Sequence, residues 1–341
     1  MVEQAQKDKY SRLSRAVNQW LDIHKDETFD LDTICRQLNV TEPNYRNYIT
    51  IILSKLVNSN ILYKNNKIYK YIDRTIKTID WQSASSQDEI PMRFPKSQYD
   101  ESTFEFAEFV TVRPADLIVV AGVSNKGKST FVRNLLWENM DTIHCRMMVS
   151  EYAPGRFKSV VSRMTWGNPL KEDGSPKFDL IERHGDWKYA IEPDSLNIID
   201  WVGLGDNFWE IRQVMEGIQD TLRGGVAVIV LQKTEGKALG EGGTFSEQRA
   251  SIYLNIDSGV LTVRKIKETK HNRYFDGLSY GFDIVDSGAG LSNIREVKKC
   301  SACSGTGEKY EKGEGKIQCP DCNGTGWKNK PKENTYKKWT E

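Results

Sequence analysis

Eight residues, Gly122-Val-Ser124-Asn125-Lys126-Gly127-Lys128-Ser129, constrain what this chain can fold into more than any other stretch of it. They follow the apolar run Leu117–Ala121 and precede Ser129-Thr130-Phe-Val-Arg-Asn-Leu-Leu-Trp137, an amphipathic helical stretch. A strand, a glycine-rich loop and a helix N-terminus in that order turn several backbone N–H groups toward one point, with the positive end of the helix dipole behind them. Such a nest cradles the phosphates of a nucleoside triphosphate, while the lysine neutralises the β- and γ-phosphates and the hydroxyl after it reaches Mg²⁺. The expected nucleotide-binding set is therefore Gly122, Ser124, Asn125, Lys126, Gly127, Lys128, Ser129 and Thr130, with ATP and Mg²⁺ as cofactors.

Leu117–Ala121 is the first of five strand-like runs; the second to fifth are Arg146–Val149, Leu196–Ile199, Val226–Leu231 and Val260–Val263, separated by helical stretches. Strands alternating with helices imply parallel β-α units, so residues 104–294 are expected to form one α/β domain. Polar residues just past such strands mark the sheet edge where α/β proteins place their chemistry. Glu151, after the second run, is there a candidate to polarise water, the alternative being a helix cap. Asp200, closing the third run, can hold the hydration shell of Mg²⁺ from the far side. Gln232, closing the fourth, can sense the γ-phosphate and pass that to the glycine-rich loop Thr234–Phe245.

The flanks are of another kind. Basic residues exceed acidic ones by three in residues 1–75 and by four in 295–341, whereas 76–294 carry an acidic excess of six. In 1–75, apolar spacing predicts a helix over Ser11–Lys25, a short helix Leu31–Leu38, a turn, and a longer helix opened by Pro43 with Thr41 as its cap. Two short strands around Asn65-Asn66 complete an order that resembles a winged helix. That would present Asn44, Arg46 and Asn47 on the second helix of the pair and Lys64, Lys67 and Lys70 on the wing, residue types that reach phosphates and base edges; a protein-docking role is the alternative. Residues 76–103 read as a linker. Near the C-terminus, Cys300-Ser-Ala-Cys303-Ser-Gly-Thr-Gly and Cys319-Pro-Asp-Cys322-Asn-Gly-Thr-Gly are two copies of one pattern. Four thiolates suit a structural, tetrahedral Zn²⁺ within 295–330, with a redox dithiol or a disulfide as the alternative. The repeat resembles half of the cysteine-rich domain of DnaJ chaperones. Residues 331–341 form a basic tail; Lys298, Lys299, Lys328, Lys330, Lys332, Lys337 and Lys338, with Trp327, Tyr336 and Trp339, are candidates to grip single-stranded nucleic acid, a disordered solubilising end being the alternative. Neither a long apolar span nor an N-terminal signal pattern is present, so a cytoplasmic location without membrane contact is expected.

The segment Met147-Met-Val-Ser-Glu151-Tyr, its helix ending in Arg163-Met164, and Leu196-Asn-Ile-Ile-Asp200 resemble the C-terminal ATPase domains of DnaB-type replicative helicases, of the shorter phage and mobile-element kind. The resemblance covers about 104–293 and implies a RecA-like parallel sheet core, Glu151 as the base for the attacking water and Asp200 as the Mg²⁺ acid. It further implies a Lys or Arg finger among Lys267, Lys270 and Arg273 reaching a neighbouring subunit's γ-phosphate, and strand contacts from Lys233, Lys237 and Arg249. Homo-oligomers, hexamers in the family, DNA both single-stranded and duplex, and replication proteins are the implied partners. The N-terminal domain by which those helicases assemble is replaced here by the winged-helix-like segment. A RecA- or RadA-like recombination ATPase and a nucleotide-gated DNA-binding regulator or helicase loader stay open as alternatives.

Overall fold

A computed structural model describes residues 2–25, 27–72, 82, 85, 88–150, 153–203, 210–234, 236–311 and 315–330. The chain divides into two units, 1–84 and 85–341.

The first unit runs α1 (Val2–Ile23), β1 (Thr28–Asp30), α2 (Leu31–Gln37), α3 (Pro43–Asn58), β2 (Leu62–Asn65) and β3 (Ile68–Tyr71). Its strands form an antiparallel sheet in the order β1-β3-β2. β1 was not legible beforehand: three residues give no periodicity, and pairing with β3 defines them. Asp30 caps α2 by accepting from the Thr33 N–H at 2.7 Å. The cap of α3 is Glu42, with no side-chain cap bond, in place of the expected Thr41; Pro43 at the first position needs no N–H partner and fixes the start. Val17, Leu21, Ile34, Ile49, Leu53 and Leu62 are among the residues that close the small core. Asn44, Arg46, Asn47, Lys64, Lys67 and Lys70 are all exposed, and Arg46 pairs with Asp32 of α2.

The second unit begins with α4 (Phe106–Phe109), then β4 (Leu117–Gly122), α5 (Lys128–Asn139), β5 (Cys145–Val149), α6 (Pro154–Val161), β6 (Phe178–Glu182), β7 (Leu196–Val202), α7 (Ile211–Thr221), β8 (Val226–Gln232), α8 (Thr244–Arg249) and β9 (Ile252–Asp257). It continues through β10 (Val260–Ile266), β11 (Ser279–Val285), β12 (Gly290–Lys299), β13 (Glu308–Glu311), β14 (Gly315–Gln318) and β15 (Trp327–Asn329). Ten strands make one sheet in the order β15-β12-β11-β10-β9-β4-β8-β7-β5-β6. From β6 to β9 every neighbouring pair is parallel. Along β4, Ile118 and Val120 face the core shared with α5, and Leu117, Val119 and Ala121 face the core shared with α7. Helices on both faces explain why these strands are continuously apolar. The phosphate-loop strand β4 stands beside β8, with β7 and β5 beyond, and this is a RecA-like arrangement.

Two expectations are corrected. Val260–Val263 is not part of a parallel unit: β10 returns antiparallel to β9 through Ser258 and Gly259, both with positive φ (45° and 76°), a two-residue turn that forces a hairpin. Residues 88–103 are not a free linker, because Phe94 is buried against Phe106 (ring centroids 5.2 Å apart) and Ile90 and Met92 pack on the same core. The stretch 168–190 supplies the edge strand β6.

The turn between β11 and β12 is tied to α5. Thr130 Oγ1 donates to the Gly288 carbonyl (3.1 Å), an Arg133 guanidinium N–H donates to the same oxygen (3.0 Å), and Asn134 Nδ2 donates to Ala289 (2.8 Å). All three side chains are buried polar groups, so these bonds fix the helix that carries the phosphate loop. No described helix is long and apolar enough to cross a membrane.

Candidate functional site

At the C-terminal edge of β4, β8, β7 and β5 lies a cleft of about 460 Å³ lined by Ser124, Asn125, Lys128, Ser129, Ser150, Arg156, Asp200, Trp201 and Gln232. Two glycines shape its floor. A Cβ on Gly122 would stand 2.2 Å from the Ile256 carbonyl oxygen of the neighbouring β9, and Gly127 caps α5 with φ 104°, a conformation L side chains rarely adopt. Asn125 also takes a left-handed φ of 57°.

Lys128 is held straight by two acceptors, the Val123 carbonyl at 2.8 Å and Gln232 Oε1 at 3.3 Å. Burial pushes its pKa below the ordinary lysine value, against the opposing pull of Asp200, Asp257 and Glu241. A buried ammonium with neutral acceptors is a site made for an anion. Ser129 Oγ donates to Asp200 Oδ1 at 3.1 Å, so a hydroxyl from α5 and an acid from β7 meet at one point. An oxygen pair of this kind fits Mg²⁺, which takes few protein ligands and keeps most of its waters. The Asp200–Trp201 peptide is cis.

Of the expected set, Ser124, Asn125, Lys128, Ser129, Asp200 and Gln232 line this cleft. Gly122 and Gly127 shape it, and the half-buried Lys126 belongs to its loop without lining it. The Thr130 side chain does not line the cleft; its hydroxyl is spent on Gly288. Glu151 lies outside the described residues, though its neighbour Ser150 lines the cleft. Lys270 and Arg273 are not in the cleft: Lys270 pairs with Glu89 at 3.1 Å, and Arg273 pairs with Glu105 while stacking over Phe109. Lys233, a candidate for strand contact, is buried and paired with Asp257, because its backbone N–H bonds Gly122 and draws it into the sheet edge. Arg249 shares Glu216 with Arg212 beside the exposed Lys267, and Lys237 is exposed. The sequence reading missed Arg156 and Trp201 as cleft residues. Neither belongs to a recurring motif, and only the order of β5 and β7 brings them in.

The four cysteines converge, all four sulfurs lying within 4.8 Å of one another. Cys300 and Cys319 sulfurs are 4.0 Å apart and those of Cys303 and Cys322 3.7 Å. Zn–S bonds of about 2.3 Å in a tetrahedron give S···S edges of roughly 3.8 Å, whereas a disulfide requires about 2.05 Å. The two halves mirror each other: Gly307 N–H donates to Cys303 Sγ (3.3 Å) and Gly326 N–H to Cys322 Sγ (3.2 Å). A Cβ on Gly307 would approach the Gly324 carbonyl oxygen to 2.2 Å, and one on Gly326 the Gly305 carbonyl oxygen to 2.3 Å. The repeated glycines are therefore required by the close passage of the two loops. This donor set fits a closed, structural zinc site. β15 joins the module to the main sheet through β12. The tail residues Lys332, Tyr336, Lys337, Lys338 and Trp339 lie outside the described residues.

No family model matches the sequence, and no curated protein matches it. Among solved structures, a KaiC-like protein from the hyperthermophilic archaeon Pyrococcus horikoshii is similar at 16% identity and a TM-score of 0.44, over 60% of this chain and 99% of that one.

Proposed function

We propose that this protein is an oligomeric, DNA-stimulated ATPase, a DnaB-like helicase serving replication of a phage or mobile element. The observation that carries the ATPase reading is the meeting of Ser129 with Asp200 and of Lys128 with Gln232 in one cleft, from α5, β7 and β8. Ser129 and Asp200 would hold Mg²⁺ there, which when bound would withdraw charge from the phosphate oxygens. Lys128 exchanges its protein acceptors for phosphate oxygens. Gln232, released by Lys128, is then free to bond the γ-phosphate. Glu151 takes the proton of the attacking water, and one of Lys267, Lys270 and Arg273 acts across a subunit boundary.

The DNA reading is supported by the exposed polar and basic residues of α3 and the β2–β3 hairpin, and by the basic C-terminal module. In this reading the first unit is a winged helix, and the four cysteines bind Zn²⁺ to support a nucleic-acid contact. The test is ATP hydrolysis with and without single-stranded DNA for the parent and for Glu151→Gln. A severalfold rise with DNA, lost in Glu151→Gln, is expected. Turnover indifferent to every nucleic acid, with tight sequence-specific duplex binding, rejects the motor in favour of a nucleotide-gated regulator.

A further inference from the structure

Two cations line the phosphate cleft, Lys128 and Arg156. Along the sheet edge the order is β4, β8, β7, β5. Lys128 follows β4, Gln232 ends β8, Asp200 belongs to β7, and Ser150 and Arg156 come after β5. A triphosphate whose phosphates rest on the loop after β4 points its terminal group along this row, so the β5 side faces the γ-phosphoryl and its water.

Arg156 is exposed, and among the described residues its guanidinium makes no hydrogen bond, ion pair or ring contact. Other cations of the unit are engaged: Lys270 with Glu89, Arg273 with Glu105, Arg146 with Asp179 and Glu192, and Arg163 with the Asp286 carbonyl. The position of Arg156 is nonetheless fixed. The next residue, Phe157, is buried against Phe178 (centroids 6.1 Å apart), and Pro154 sets the first turn of α6. Beside it, Ser150 Oγ and Trp201 Nε1 are buried with no hydrogen-bond partner among the described residues. Unmet donors on residues that line an anion cleft are matched to oxygens that arrive with the ligand.

We propose that Arg156 is a catalytic residue acting within its own chain, donating to the γ-phosphoryl oxygens as the bond to ADP breaks. This rests on the ATPase reading above. In the step, the water oxygen bonds to the γ-phosphorus while the bond from that phosphorus to the β–γ bridging oxygen breaks. The bonding pair stays on the bridging oxygen, which leaves as the terminal oxygen of ADP. The water's proton passes to the general base. Charge thus grows on the γ-oxygens and the bridging oxygen, and a planar guanidinium meets two such oxygens at once. A Lys or Arg finger from a neighbour would add to this charge from the other side.

The experiment measures steady-state ATP hydrolysis and binding of a non-hydrolysable ATP analogue for the full-length parent, Arg156→Ala and Arg156→Lys. Arg156→Ala is expected to lower kcat by about a hundredfold or more while analogue affinity stays within a few-fold of the parent. Arg156→Lys is expected to recover part of that loss. A kcat within threefold of the parent overturns the proposal, as does a loss confined to KM and analogue binding. Mixing Arg156→Ala with Lys128→Ala chains separates cis from trans. Silence of the mixture supports the same-chain assignment, and restored turnover overturns it. A parent that binds the analogue and hydrolyses ATP with Arg156→Ala unaffected sinks this assignment alone, whereas a parent that does neither sinks the ATPase reading with it.

Discussion

Ser129 and Asp200, seventy-one residues apart in the chain, share a 3.1 Å hydrogen bond across the mouth of the cleft. The bond brings a hydroxyl from α5 and a carboxylate from β7 to one point, an oxygen pair suited to Mg²⁺. Asp200→Asn keeps the shape and removes the charge. Affinity for a non-hydrolysable ATP analogue is expected to fall roughly 10- to 100-fold with Mg²⁺ and to be unchanged when Mg²⁺ is chelated. Calorimetry under both conditions reads this, and an equal loss in each would remove Asp200 from the metal's shell.

Lys128 is buried with its pKa held below the usual 10.5. A lysine whose folded pKa is depressed destabilises the folded state in its charged form, and this cost disappears as pH rises through the window between its folded and unfolded values. In nucleotide-free protein, the stability of the parent relative to Lys128→Met is therefore expected to climb with pH on the alkaline side, below 10.5. At neutral pH, Lys128→Met is expected to melt at or above the parent's temperature while losing all affinity for the triphosphate. Differential scanning calorimetry across pH reads the first effect and analogue binding the second; a parent advantage that falls with pH would contradict the buried charge.

One equivalent of zinc per chain is expected in protein purified without chelator. Gly307→Ala, which puts a Cβ against the Gly324 carbonyl in a residue at φ 78°, is expected to weaken zinc retention by about 10- to 100-fold with all four cysteines intact. Because the module touches the main sheet through the three-residue β15, the melting of the nucleotide-binding core is expected to stay within a few degrees. Elemental analysis with a thermal scan checks both, and a core that unfolds with the metal would show the module to be integral to it.

What the sequence made legible is what is local. The strand-loop-helix around Lys128, the acid after Leu196–Ile199 and the amide after Val226–Leu231 each carry their meaning within a dozen residues, and the structure brings them into one cleft. The paired cysteines were legible for the same reason. Non-local relations escaped: β9 is an apolar strand like several others, and only its place beside β4 makes its carbonyl the wall that forbids a side chain at Gly122. Lys233 read as a candidate for strand contact because nothing nearby in sequence announces Asp257, twenty-four positions on. Arg156 carries no local signal either, and only the place of α6 after β5 brings it to the cleft. Glu151, by contrast, is legible only as a sequence feature, since it falls outside the described residues.

Residues 88–103 looked like a linker because Ser, Gln, Asp and Pro dominate their surroundings, yet their few apolar side chains are used. Phe94 is 5% exposed and meets Phe106 edge-on, inside the cluster that also holds Phe104 and Phe131. Truncating a buried aromatic removes its transfer energy and leaves a cavity, so Phe94→Ala is expected to cost about 3–5 kcal/mol. Lys96, two residues on and exposed, is the control: Lys96→Ala is expected to stay within about 0.5 kcal/mol of the parent. For a unit of this size each kcal/mol moves the melting temperature by about 2–4 °C, so the two variants are expected to melt well apart. If both melt with the parent, the segment is a tether after all; if Phe94→Ala alone drops, the nucleotide-binding unit begins near residue 88.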